Sequence, residues 1–79
     1  MTKLERIIEN FPDENIMIAD GFDDAIIGIE EESLRIIYSV KKILDILQKD
    51  MTEEKAINYL YYNILGSQVE NGPIFCTDL

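Results

Sequence analysis

The sequence predicts a small α+β domain, in which an N-terminal helix and an antiparallel helical hairpin pack on a short antiparallel sheet. At 79 residues the chain is long enough for one hydrophobic core, so residues 1–79 form a single domain. A hydrophobic fraction of 47% must stabilise it, because a single cysteine cannot form an internal disulfide bond. Helical and strand-like apolar patterns follow one another in the order α, (β), β, β, α, α, β, where the strand in brackets is optional.

The first element is a short helix with a defined start and end. Thr2 and Glu5 have the spacing of a capping box, and Pro12 ends the helix. Its apolar positions, at helical spacing, are Leu4, Ile7, Ile8 and Phe11. The apolar run at residues 16–19 is either a further strand or an extended lead-in to the sheet.

A β-hairpin is predicted at residues 25–29 and 34–39, because both runs are rich in isoleucine and a short acidic connection joins them. Strict alternation would place Ile27 and Ile29 on one face and Ile26 on the other. Both faces are then apolar, as in strands that are covered on both sides. The second cover would be the N-terminal helix or another subunit, and the latter predicts a homodimer.

Two helices and a closing strand complete the predicted fold. Ser39 caps a helix over residues 40–49, and Thr52 caps the next one. The apolar stripe of that second helix consists of Ala56, Ile57, Leu60, Tyr61, Ile64 and Leu65. Gly66 is placed to end it, and residues 74–76 then form the C-terminal strand beside the hairpin.

Negative charge is concentrated in the first half of the chain. The net charge is −9, and no lysine, arginine or histidine lies between Ile7 and Leu34. Eight carboxylates occur between Pro12 and Ser33: Asp13, Glu14, Asp20, Asp23, Asp24, Glu30, Glu31 and Glu32. Because clustered like charges repel, this distribution predicts a basic protein partner. Nucleic acid and anionic membranes are disfavoured as direct ligands, since both require clustered lysine and arginine.

The residues predicted to bind this partner are acidic side chains and tyrosines. Carboxylates on a rigid sheet can imitate part of the phosphate array of DNA, which makes a nuclease or DNA-binding protein a natural target. Two of the tyrosines lie away from the apolar stripe, and exposed tyrosines suit an interface. The predicted partner-binding residues are Asp23, Asp24, Glu30, Glu31, Glu32, Tyr59 and Tyr62.

Structural explanations stand beside these functional ones. Asp20 and Gly21 suit a turn that Phe22 anchors in the core. The glutamates at 30–32 suit a solvated loop, and the tyrosines suit the edge of an amphipathic helix.

Metal binding is the alternative function, because Asp20, Asp23 and Asp24 place three hard oxygen ligands within five residues. An EF-hand loop counted from Asp20 fails, since its sixth position is Ala25 instead of glycine.

The sequence contains no ordinary catalytic apparatus, so a non-enzymatic protein without a cofactor is predicted. There is no histidine for a catalytic triad or a Cys-His pair, and no glycine-rich loop is followed by lysine. Cys76 is expected to be a buried core residue, and a free thiol fits a reducing cytoplasm. Residues 1–10 lack the apolar run of a signal peptide, and no stretch approaches a membrane span.

The segment Ala-Asp-Gly-Phe-Asp-Asp-Ala-Ile-Ile-Gly at residues 19–28 resembles a group of short bacteriophage and prophage proteins. The resemblance continues in the same order through residues 35–38, 51–56, 62–66 and 72–75. The group has a glycine in the hairpin turn and a cysteine near the position of Ile43, both replaced here, so no role is carried over to those positions. The resemblance implies a protein that blocks host machinery in the bacterial cytoplasm, such as a restriction or CRISPR defence system.

Overall fold

The computed structural model describes residues 2–78. In chain order the elements are α1 (Lys3–Asn10), a 3₁₀ turn (Asp23–Ala25), β1 (Ile26–Ile29), β2 (Ile36–Ser39), α2 (Val40–Leu47), α3 (Glu53–Tyr59), a π-helical turn (Leu60–Ile64), a second 3₁₀ turn (Leu65–Ser67) and β3 (Ile74–Cys76). The predicted α+β class is confirmed, together with the hairpin, the helical pair and the C-terminal strand. Residues 16–19 are an extended lead-in and not a strand.

The sheet is mixed, with strand order β1-β2-β3. β1 and β2 are antiparallel, as predicted for the hairpin. β3 runs parallel to β2, with Tyr38 beside Phe75 and Ser39 beside Cys76, so the prediction of a fully antiparallel sheet is wrong for this pair. Parallel neighbours require a long crossover connection, and the segment that carries α2 and α3 supplies it.

A β-bulge in β1 changes which isoleucines face the core. Ile26 pairs with Tyr38 and Ile29 pairs with Ile36, with the irregularity between Ile26 and Gly28. The extra residue cancels the alternation, so Ile26 and Ile29 lie on one face, and the prediction that Ile27 accompanies Ile29 is wrong. Ile27 is instead 40% exposed. The single chain does not cover its side chain fully. The homodimer, predicted as a cover for the second face of the hairpin, stays a prediction.

The core lies on one face of the sheet, between the strands and the three helices. Tyr38 is fully buried at its centre, and its ring stacks on Phe75 with a centroid distance of 5.8 Å. The buried apolar residues are Ile7, Ala25, Ile26, Ile36, Tyr38, Ile43, Leu47, Ala56 and Leu60. The predicted stripe of α1 is confirmed in part, because Ile7 is buried while Ile8 is exposed. Cys76 is exposed, so its expected burial is wrong.

Each α-helix begins at a hydroxyl cap that the sequence predicts. Thr2 and Glu5 form the capping box of α1, and Thr52 accepts from the backbone N–H of Lys55 at 3.3 Å. Ser39 accepts from the backbone N–H of Lys42 at 3.1 Å and donates its own proton to the Asp78 carboxylate at 2.7 Å. The end of the described chain is therefore tied to the start of α2.

The end of α3 departs from regular helical geometry. After Tyr59 the chain widens into the π-helical turn, which inserts extra backbone and rotates the following side chains. Tyr61 is consequently 61% exposed, and its predicted place in the apolar stripe is wrong. The helical segment ends at Ser67 and not at Gly66, because the Ser67 hydroxyl donates to the carbonyl of Asn63 at 2.8 Å.

The hairpin loop contains a non-glycine residue with a positive φ angle. Glu30 and Arg35 pair across the loop through the Glu30 N–H and the Arg35 carbonyl at 2.8 Å. The N–H of Leu34 bonds the carbonyl of Glu30 at 2.8 Å, which closes a tight turn and leaves Leu34 at a φ of 58°. A side chain costs about 1 kcal/mol in this left-handed region, and glycine avoids the cost.

We therefore expect Leu34→Gly to be more stable than Leu34→Ala by about 1 kcal/mol, the reverse of the usual order. Both variants lose the same packing beyond Cβ, so their difference isolates the backbone conformation. Urea unfolding of the two variants measures it. An alanine variant as stable as the glycine variant would contradict a strained loop.

The contact between Ser39 and Asp78 predicts a pH dependence. The Ser39 hydroxyl, the backbone amides of Asp78 and Lys41, and the charge of Lys41 hold the pKa of Asp78 below its ordinary value of 3.8. Because the folded pKa is lowered, this stabilisation is present above about pH 4 and is lost as pH falls through the folded pKa.

We expect the Asp78→Asn variant to have a lower urea midpoint than the original protein at pH 5.5. The difference between the two midpoints should be smaller at pH 3. Asp45→Asn removes the same charge from an exposed site on α2 and serves as the control. Parallel pH profiles for Asp78→Asn and the original protein would show that Asp78 contributes nothing to this dependence.

Candidate functional site

The exposed acidic residues between Pro12 and Ser33 lie at turns. Asp13 and Glu14 follow α1, and Asp20 precedes a turn in which the N–H of Phe22 bonds the carbonyl of Ala19 at 3.2 Å. Gly21 has a φ of 90°, which confirms the predicted glycine turn, and Phe22 packs against the core.

Asp23 and Asp24 occupy the 3₁₀ turn that leads into β1, and both side chains are exposed. The turn is fixed at its end, because Ala25 is fully buried and its N–H bonds the carbonyl of Phe22 at 2.9 Å. The predicted turn or strand edge is thus a 3₁₀ turn, and it presents both carboxylates to solvent.

The three glutamates of the hairpin connection differ in their surroundings. Glu30 is half-buried, and its carboxylate accepts from both the N–H and the hydroxyl of Ser33. These hydrogen bonds hold the pKa of Glu30 below its ordinary value, so its carboxylate is engaged in closing the loop. Glu31 and Glu32 are exposed at the tip.

Arg35 is the first basic residue after the acidic interval, and the fold holds its side chain. Its Nε donates to the carbonyl of Gly72 at 2.6 Å, which joins the hairpin to the loop before β3. That loop is tight, since a Cβ on Gly72 would lie 2.9 Å from the Val69 side chain. Arg35 therefore fastens two segments of the fold.

The two predicted binding tyrosines have different positions. Tyr59 is 42% exposed and lines a cleft, whereas Tyr62 is 79% exposed and lies outside it. The structure therefore does not bring all of the predicted residues together. The 3₁₀ turn and the hairpin tip lie at the two ends of β1.

The predicted metal candidates do not form a ligand set. Among residues 2–78 no group of three histidine, cysteine or acidic side chains is close enough to hold a metal ion. Asp20 lies before the glycine turn and Asp23 and Asp24 lie after it, so the turn separates carboxylates that are close in sequence.

A surface cleft of about 390 Å³ is the feature that sequence reasoning missed. Its walls are the extended lead-in with the glycine turn, the end of α3 with the π-helical turn, and the start of β3. The lining residues are Met17, Ile18, Ala19, Asp20, Phe22, Tyr59, Asn63, Ile64, Ser67, Gln68, Val69, Pro73 and Phe75. One signal was present in the sequence: the apolar run at 16–19 could be assigned either to a strand or to an extended lead-in.

Tyr38 fixes one wall of the cleft from below. Its hydroxyl accepts from the backbone N–H of Ala19 at 2.8 Å, which attaches the lead-in to β2. Burial raises the pKa of the Tyr38 phenol, and the charge of Asp23 acts in the same direction. The hydroxyl is therefore neutral over the physiological pH range, and the bond to Ala19 persists there.

Comparisons with known proteins identify no relative, since no family model, curated protein or solved structure matches the chain. The resemblance to phage and prophage proteins therefore stays a prediction. None of the helices described between residues 2 and 78 has the length and apolar character that crossing a membrane requires.

We expect Tyr38→Phe to lower the free energy of unfolding by about 1–3 kcal/mol, because the Ala19 N–H loses its partner. The ring and its stacking on Phe75 are kept, so the loss reports the hydroxyl alone. Urea unfolding measures it, and hydrogen exchange at Ala19 should accelerate more than exchange at Ile43. Unchanged exchange at Ala19 would show that this hydrogen bond does not hold the wall.

Proposed function

We propose that this chain is a non-enzymatic, acidic binding protein of phage type, which acts in the bacterial cytoplasm on a basic host protein. It inhibits a nucleic-acid-processing or defence protein, such as a component of restriction or CRISPR, by partial imitation of nucleic-acid charge. One observation carries the proposal. Asp23, Asp24, Glu31 and Glu32 are exposed on ordered turns.

None of these four carboxylates accepts a side-chain or turn hydrogen bond among residues 2–78. Within residues 2–78, the carboxylates that accept side-chain or turn hydrogen bonds are those of Glu5, Glu30 and Asp78. The other acidic residues at the turns therefore make no hydrogen bond within the described chain that would explain them as parts of the fold. Their mutual repulsion costs stability, and a basic surface would relieve it.

Ordered presentation distinguishes this surface from a flexible acidic tail. Ala25 anchors one turn by burial, and the Glu30–Arg35 pair closes the other. A fixed backbone at the turns loses little conformational entropy on binding, and the field of the carboxylates steers a positively charged partner toward them. Duplex DNA carries one charge per about 1.7 Å of axis, so DNA and this surface would compete for one basic groove.

The test is capture of proteins from a nuclease-treated bacterial lysate on the immobilised protein. We expect basic nucleic-acid-binding proteins to be retained at low salt and displaced by duplex DNA. They should also be released by about 1 M NaCl, where the Debye length is about 3 Å. Mass spectrometry identifies the retained proteins. Inhibition of the purified partner by this protein is then measured.

Two fourfold variants separate surface recognition from total charge. The test variant neutralises Asp23, Asp24, Glu31 and Glu32, and the control neutralises the exposed residues Asp45, Asp50, Glu54 and Glu70. Each replaces carboxylates by the matching amides and changes the net charge from −9 to −5.

We expect only the test variant to bind the captured partner roughly tenfold more weakly, because electrostatic steering depends on local charge. Equal losses of affinity in the two variants would show that binding depends on net charge and not on the charges at these turns. Failure to retain any basic or nucleic-acid-binding protein would overturn the proposed function.

A further inference from the structure

We propose that the cleft is a docking site for a segment of the basic partner that inserts one bulky apolar side chain flanked by lysine or arginine. This inference rests on the proposed function and adds the chemistry of the bound segment. Acidic turns alone would select for positive charge, whereas the cleft adds selection for an apolar residue at one position.

The walls of the cleft are largely apolar. Several of the large hydrophobic side chains that the fold leaves exposed lie along its walls instead of being scattered over the surface. They are Met17, Ile18, Tyr59 and Val69. Exposed apolar residues are ordinary when they occur singly, but a contiguous group marks a binding surface. Phe22 and Phe75, both packed against the core, complete the lining.

The size and shape of the cleft favour a peptide segment. Its volume of about 390 Å³ is within the range of ligand sites, and it is a surface cleft and not an enclosed cavity. An aromatic or long aliphatic side chain can enter it while the adjoining backbone stays outside. Asn63 and Gln68 lie in the wall, where their amide groups can bond that backbone.

The charge around the cleft selects basic neighbours for the inserted side chain. Asp20 lines it, and Asp23 and Asp24 follow directly after the lining residue Phe22. No lysine or arginine is among the lining residues, although Lys55 lies one helical turn before Tyr59. A second copy of this chain is a poor occupant, because two molecules with a net charge of −9 repel each other.

The cleft is built from fastened segments, so little ordering is needed on binding. The Tyr38 hydroxyl holds the lead-in at Ala19, and the Ser67 hydroxyl bonds the carbonyls of Asn63 and Ile64 at the end of the helical segment. The π-helical turn forms part of the opposite wall, and such turns are frequent at functional sites. Preorganisation of this kind raises affinity by lowering the entropy cost of binding.

The experiment uses labelled peptides and the full chain at about 0.1 M salt, where the Debye length is about 10 Å. The probe is GKKFKKG, with GKKSKKG as the equally charged peptide without an apolar side chain and GEEFEEG as the charge-reversed peptide. We expect GKKFKKG to bind about tenfold more tightly than GKKSKKG, in line with the loss of a central aromatic anchor. GEEFEEG should not bind.

Protein variants locate the site. Tyr59→Ala should weaken binding of GKKFKKG about tenfold, while Tyr61→Ala removes the same kind of side chain from an exposed position outside the cleft and should leave binding unchanged. Met17→Gln, a second cleft variant with a side chain of similar length, should also weaken binding of GKKFKKG. Asp20→Asn should weaken it more than Asp45→Asn, which is the charge control outside the cleft. Two-dimensional ¹H–¹⁵N NMR spectra verify that each variant is folded and show whether cleft residues shift.

Two results would overturn the cleft proposal. One is equal affinity for GKKFKKG and GKKSKKG, and the other is equal affinity of the Tyr59→Ala and Tyr61→Ala proteins for GKKFKKG. Either result leaves capture of a basic, DNA-displaceable partner intact. Loss of that capture with cleft binding retained would instead overturn the proposed function, so the two failures are distinguishable.

Discussion

Burial of Tyr38 is the constraint on which most of this structure depends. Its ring lies between Ile26 on β1 and Phe75 on β3, so it joins the antiparallel and parallel halves of the sheet. Its hydroxyl bonds the backbone of Ala19, which fixes a segment without secondary structure of its own. One buried side chain therefore sets the sheet, the wall of the cleft and the approach to the acidic 3₁₀ turn.

Local signals allowed most elements to be predicted, and nonlocal geometry accounts for the differences. Hydroxyl caps at Thr2, Ser39 and Thr52 act within three residues, so the sequence displays them directly. The bulge at Ile27 and the parallel direction of β3 depend on packing between distant segments. The π-helical turn is similar, because apolar spacing assumes regular geometry and the core decides where that geometry changes.

The same distinction between local signals and nonlocal geometry applies to the candidate site. Exposure of Asp23, Asp24, Glu31 and Glu32 follows from charge and turn chemistry, but the sequence did not distinguish them from Glu30, whose carboxylate closes the loop. The cleft joins segments near residues 20, 60 and 70, and no local pattern encodes such a meeting. Tyr59 and Tyr62 illustrate the limit: they look equivalent on a helical wheel, yet the fold places only Tyr59 in the cleft.

The acidic residues of this chain fall into two groups that the structure separates. The carboxylates of Glu5, Glu30 and Asp78 accept hydrogen bonds that begin a helix, close a loop and tie down the end of the described chain. The exposed carboxylates of the turns make no such contribution, although their repulsion opposes folding. A core that tolerates this repulsion through Tyr38 and its neighbours leaves the carboxylates available to a partner. Neutralising the turn carboxylates should therefore relieve repulsion within the fold as well as weaken binding of the proposed partner.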